Sequence, residues 1–129
     1  MKKFIGDLGR SEWELLNICW KLGSKTSVRE IHEESLKKRM RSYATVKTML
    51  DRLVQKGHIE RVKFGPLWLY SPKKSQKSTI SHAIEDFIKT VLNNETVPIY
   101  QYIIESKKYE KDYVELKELL DNVDEEDNS

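Results

Sequence analysis

Lys47, with Thr45 and Thr48 on either side of it, follows closely on a serine, Ser42, that can cap a helix. In a helix starting there, Val46, Met49, Leu50 and Leu53 recur at three- and four-residue spacing and must face a core. The outward positions near its start are then Tyr43, Ala44, Thr45, Lys47 and Thr48, followed by Arg52 and Lys56. Such a set can read a duplex. Lys47 can donate to the oxygen and nitrogen of a guanine edge, and the two threonines can bond to a base or touch a thymine methyl. Ala44 is small enough to let a methyl approach. Ser42, Tyr43 and Arg52, with the backbone amides at the helix start, suit phosphate instead. A solvated helix face with ordinary lysines would look the same locally, so the surroundings decide.

Charge is distributed unevenly along the 129 residues. Residues 1–77 carry 18 Lys/Arg against 8 Asp/Glu, a net of +10, whereas residues 78–129 carry 5 against 13, a net of −8. A basic half joined to an acidic half implies that one of them meets a polyanion and the other does not. Solubilisation by an acidic tail explains the second half and leaves the first unexplained. No apolar run approaches the length of a membrane span, so no membrane insertion is expected. The single cysteine, Cys19, cannot form an intrachain disulfide, which fits a reducing cytosol and a cytoplasmic protein.

The elements around residues 42–57 support the duplex-reading pattern. Ser11-x-x-Glu14 has capping-box spacing, with Gly9 as the alternative cap, and opens a first helix carrying Trp13, Leu16 and Trp20 until Gly23. Ser27-x-x-Glu30 opens a second, with Val28, Ile31, Ser35 and Leu36 inward and Lys37, Lys38, Arg39 and Arg41 gathered at its end. The third ends at Gly57 in a left-handed conformation. Alternation then replaces helical spacing over residues 58–63 and 67–70, with Phe64-Gly65-Pro66 between them and Pro72 beyond, which predicts a β-hairpin. Trp68 and Tyr70 are expected in its core, and Arg61, Lys63, Lys73 and Lys74 as phosphate contacts. Three helices and a hairpin, in this order, form a winged helix-turn-helix module over residues 1–74, in a mainly α protein.

Residues 75–129 predict a helical dimerisation domain. Ile80, Ile84, Phe87, Ile88 and Val91 mark a long helix, Tyr102 and Ile103 a short one behind Pro98, and Leu116, Leu119 and Leu120 a last one starting at Asp112. Some fifty residues cannot bury such wide apolar faces alone, and pairing with a second copy is the economical solution. The acidic end, residues 124–129, is expected to be disordered.

Glu12-Trp13-Glu14 with Trp20, the run from Thr45 to Leu53, Lys56-Gly57, and Tyr70-Ser71-Pro72 together resemble the penicillinase repressor family of BlaI, MecI and CopY type. The resemblance is specific over about residues 8–72 and general beyond. It implies a homodimer bound to a palindromic DNA operator, with the C-terminal helices as the dimer interface and resistance genes as the repressed targets. In the β-lactam branch it further implies inactivation by proteolysis, triggered by a membrane sensor, at a site aligning with Tyr102 and Ile103. The Asn-Phe pair typical of that site is absent here, and Pro66 replaces the basic residue of the wing tip. The paired cysteines of the copper-sensing branch are also missing, so no metal is expected.

Enzyme chemistry has little support. His32, His58 and His82 are scattered, Cys19 lies on an apolar helix face between two tryptophans, and no phosphate-cradling glycine loop, metal-ligand spacing or nucleophile elbow occurs. No cofactor is expected. Two rivals to the repressor are a winged helix serving as a protein-interaction adaptor and a regulator responding to a small molecule.

Overall fold

The computed structural model describes residues 5–106 and 109–127. Backbone contacts divide the chain into two units, residues 1–86 and 87–129. The first holds α1 (Arg10–Leu22), β1 (Thr26–Ser27), α2 (Val28–Leu36), α3 (Tyr43–Gln55), β2 (Ile59–Phe64) and β3 (Leu67–Pro72). It is the winged helix that the sequence predicts.

Its core joins Leu15, Leu16, Ile18 and Cys19 of α1, Val28 and Ile31 of α2, and Val46, Met49, Leu50 and Leu53 of α3. Leu8, Ile59 and Tyr70 complete it. Two helix starts follow the sequence reading: Ser27 and Ser42 accept hydrogen bonds from the amides of Glu30 and Thr45. Gly57 has φ +82°, the left-handed conformation that a β-carbon would disfavour.

The structure decides between two caps, corrects one expectation and adds one strand. Helix α1 starts at the alternative cap, Gly9, two residues ahead of Ser11, with Glu12 rather than Glu14 reaching back to the cap amide at 3.0 Å. Both spacings contain a glutamate, and Glu14 is drawn away by arginines. Leu36, expected inward, is two-fifths exposed at the last turn of α2, where no element covers it. The expected hairpin gains a third strand, because Thr26 and Ser27 pair with Tyr70 and Leu69, giving the strand order β1-β3-β2.

Register settles the faces of the hairpin. Ile59 pairs with Pro72, Arg61 with Tyr70 and Lys63 with Trp68, so these six side chains share the face that carries the buried Ile59 and Tyr70. Val62 pairs with Leu69 and Phe64 with Leu67, on the opposite face. Gly65, with φ +59°, and Pro66 form a two-residue loop. Positive φ at only its first residue is the signature of a type II′ turn, whose twist matches the strands.

Helix α4 (Gln76–Thr90) begins in the first unit and ends in the second, which also contains α5 (Val97–Glu105) and α6 (Glu110–Asp127). Pro98 occupies the first turn of α5, as expected. The α6 helix starts at Glu110, ahead of Asp112, and runs to Asp127, through most of the stretch expected to be disordered. Extending an existing helix adds a hydrogen bond for each residue fixed, and glutamate is a good helix former. Residues 128–129 lie outside the described residues.

Candidate nucleic-acid interface

Seven of the eight residues expected to touch DNA lie together on α3 and its cap. Ser42, Tyr43, Ala44, Thr45, Thr48 and Arg52 are exposed, and Lys47 beside them is half-buried. The hydroxyls are already ordered. Ser42 Oγ donates to Thr45 Oγ1 at 2.9 Å, and Thr48 Oγ1 donates to the Ala44 carbonyl at 3.0 Å. Thr48 therefore offers an approaching base a lone pair and a methyl group, and Thr45 retains its own proton. Tyr43 stands edge-on to His32, with ring centroids 6.0 Å apart. Unlike α1 and α2, α3 has no acidic residue in its first turn. The positive end of its dipole is left uncompensated, which favours a phosphate there.

Lys47 is not free. Its ammonium lies 3.0 Å from Asp51 Oδ2, one turn along α3. Asp51 Oδ1 accepts from Arg61 Nη1 of β2 at 2.9 Å and from the Tyr70 hydroxyl of β3 at 2.8 Å. A single carboxylate thus ties the helix to both strands of the wing. Burial pushes the Asp51 carboxyl up, but the Tyr70 hydrogen bond and the cations Lys47 and Arg61 outweigh it and hold it below its ordinary value. Burial and the same carboxylate push the Tyr70 phenol up to about 12. Lys63, the eighth expected residue, lies on the wing away from the α3 group. Its ammonium and the Arg61 guanidinium stand 5.5 and 4.4 Å from the centre of the Trp68 ring.

Lys56, expected outward, turns inward. Its ammonium meets the fully buried Glu12 at 2.9 Å and the Asp7 carbonyl at 2.6 Å. A buried carboxylate needs a counter-charge, and the end of α3 supplies it.

The start of α3 is held by an ion pair that the sequence did not reveal. Arg41, with its side chain 5% exposed, binds Glu14 of α1, whose side chain is 11% exposed. Ser11 lies 3.3 Å from Arg41, and Arg39 lies 3.3 Å from Glu14. His32 Nε2 meets the Arg41 carbonyl at 2.6 Å. Burial raises the Glu14 carboxyl, and Arg41 and Arg39 more than reverse this, leaving it below its ordinary value.

The remaining reactive groups have structural partners. His58 pairs with Asp7 at 3.1 Å, and His82 Nδ1 meets the Ser78 carbonyl at 2.9 Å. Burial pushes the Cys19 thiol up to about 12, where it is not a nucleophile at neutral pH. Among the described residues no three His, Cys, Asp or Glu side chains are placed to hold a metal ion.

A sequence profile described as penicillinase repressor matches residues 8–122. The chain belongs to the penicillinase repressor family. It is 26% identical over 109 residues to the methicillin resistance regulatory protein MecI of Mammaliicoccus sciuri, covering 84% of this chain and 88% of that one. It is 30% identical over 93 residues to the penicillinase repressor of Bacillus licheniformis, covering 72% and 71%. Among solved structures, the DNA-binding domain of the repressor BlaI superposes with a TM-score of 0.50 at 31% identity, over 58% of this chain and 90% of that one. Membership places the chain among transcriptional repressors and not among enzymes. Several of the residues on which the resemblance was read hold the module together: Glu12 pairs with Lys56, Glu14 with Arg41, Trp13 donates to the Ile5 carbonyl at 3.0 Å, and Tyr70 donates to Asp51.

Proposed function

We propose that this chain represses transcription as a homodimer, each protomer laying the first half of α3 in the major groove of one half of a palindromic operator. The observation that carries this reading is the exposed face of α3, cationic and hydroxyl-bearing, at a helix start with no acid in its first turn. Lys47, Thr45, Thr48 and Ala44 face base edges, whereas Ser42, Tyr43, Arg52 and Lys63 hold phosphate. Residues 1–74 form the DNA-binding part and residues 75–129 the dimerising part. The dimer assignment draws on exposure: Ile80, Ile84, Phe87, Val91, Tyr102, Leu119 and Leu120 are all more than a third exposed, and Ile88 and Leu116 are half-buried. Apolar surface of that extent favours a partner. Occlusion of a promoter by the bound dimer is the mechanism of repression, and no cofactor takes part.

The proposal extends to inactivation by a protease under the control of a membrane sensor, cutting near Tyr102 and Ile103. Tyr102 is exposed and Ile103 half-buried inside α5, so a cut there would sever α6, with Leu116, Leu119 and Leu120, from the rest of the chain. No helix among the described residues is long and apolar enough to cross a membrane.

Gel shifts on a duplex selected from a random-sequence pool by the wild-type protein test the assignment. Lys47→Ala and Thr48→Ala should each lose about 1–3 kcal/mol of discrimination between the selected duplex and random DNA. Arg52→Ala should weaken binding to both equally. Binding untouched by all three changes would remove α3 from the interface.

A further inference from the structure

The tip of the wing is apolar on one face, and that face is bare. Phe64 is 71% exposed and its cross-strand partner Leu67 52%; Val62 behind them is 51% exposed. None of the three belongs to the core, and they project from the side of the hairpin opposite the buried Ile59 and Tyr70. Loop residues Gly65 and Pro66 add no side-chain donor or acceptor. The tip extends three residues past the Arg61–Tyr70 pair, roughly 10 Å at the rise of a strand, which is comparable with the depth of a minor groove.

Charge indicates what this apolar tip meets. From Arg61 to Ile84 the sequence has five cations (Arg61, Lys63, Lys73, Lys74 and Lys77) and no carboxylate. Glu60, at the base of β2 and four residues from Phe64, is the one carboxylate of the strand pair. An apolar point beyond it, on a hairpin and connection that are otherwise cationic, matches a polyanion whose interior is apolar, namely a nucleic-acid duplex. Lysines hold the phosphates, and the point contacts sugars and base faces. Proteins that enter minor grooves use Phe, Leu and Pro wedges in this manner.

We propose that the wing of this protein enters the minor groove flanking the α3 contact and engages it through Phe64 and Leu67, by apolar contact rather than by a basic side chain. The inference rests on the operator-binding reading of α3. Burying these side chains releases no counterions, so their share of affinity is independent of salt, unlike that of Lys63.

Fluorescence anisotropy of the full chain on the selected duplex, over a series of salt concentrations, tests this. Phe64→Ser and Leu67→Ser should each weaken binding about tenfold, with the slope of log K against log salt unchanged. Lys63→Ala should flatten that slope by about one. Hydroxyl-radical protection of the minor groove beside the α3 site should be lost in both serine variants. Because both positions are exposed, the variants should melt with the wild type, and a change at either alone is checked by the other. Wild-type affinity and an unchanged footprint in both would overturn the wing contact and leave the α3 reading intact. Unchanged DNA binding with loss of a higher oligomer would assign the face to protein, and overturn it equally. If the wild type selected no duplex at all, the operator reading itself would fail.

Discussion

Glu14→Leu should cost far more than the loss of one surface charge, because its partner is buried. Arg41 keeps only 5% of its side chain exposed, and its Nη1 already has no hydrogen-bond partner. Without Glu14 the guanidinium would retain a single contact with Ser11 at 3.3 Å. Breaking a buried ion pair from one side costs about 3–5 kcal/mol, a large part of the stability of a small domain. With a urea dependence of about 1.5 kcal/mol per molar, the unfolding midpoint should fall by roughly 2–3 M. Arg41→Met should cost a similar amount, whereas the double variant should recover much of the loss, since neither charge is then stranded. Circular dichroism during urea titration measures all three. Glu33→Gln serves as the control, because Glu33 and its partner Arg29 are 63% and 84% exposed and the midpoint should barely move. If Glu14→Leu shifted the midpoint no more than Glu33→Gln, the pair would not anchor the start of α3. DNA binding gives a second readout: the double variant, although folded, should bind the selected duplex less tightly, because residues 41 and 42 are no longer held to α1.

Acid should destabilise the winged helix in a defined window. Asp7, Glu14 and Asp51 all sit below their ordinary values of 3.8, 4.5 and 3.8, so the folded state favours their charged forms. Their contribution is complete above pH 4.5 and is lost as pH falls through the lowered values; melting temperature should be level from neutrality to about pH 5 and drop below it. A midpoint that stayed level from pH 5 down to pH 3 would contradict the ion-pair account. Cys19 should react with Ellman's reagent at pH 8 less than one-hundredth as fast in the folded protein as in urea, given a thiol at about 12. Comparable rates would mean that α1 opens freely. Leu119→Asp, at a position 62% exposed, should leave the fold intact and shift the sedimentation mass from dimer to monomer. A variant that remained dimeric would move the interface off α6.

Local grammar carried most of the fold. Caps at Ser27 and Ser42, the stripe from Val46 to Leu53 and the glycine after α3 act within one or two turns, and these features were legible. Failures arose where the deciding partner is distant in sequence. Between Gly9-x-x-Glu12 and Ser11-x-x-Glu14, the choice depended on Lys56 and Arg41, 44 and 27 residues away. Strand β1 is two residues long, too short for any periodicity, and exists because β3 offers an edge. The alternation read over residues 58–63 does not keep one face apolar, since Arg61 lies on the Ile59 side and Val62 opposite, so only the strand register could reveal the bare tip. Asp51 left one usable signal, as the sole carboxylate of α3, one turn beyond Lys47.

The junction at Asp51 constrains how such a protein can change its operator. A base edge that captures the Lys47 ammonium takes it from a carboxylate that also holds Arg61 and Tyr70. Helix and hairpin therefore respond to the same binding event. Replacing Lys47 with a neutral reader would alter more than one base preference: it would leave an anion beside the duplex, balanced by Arg61 alone. New base preferences that involve position 47 should then arise through paired changes at 47 and 51, and a search for altered specificity at that position should vary both residues together.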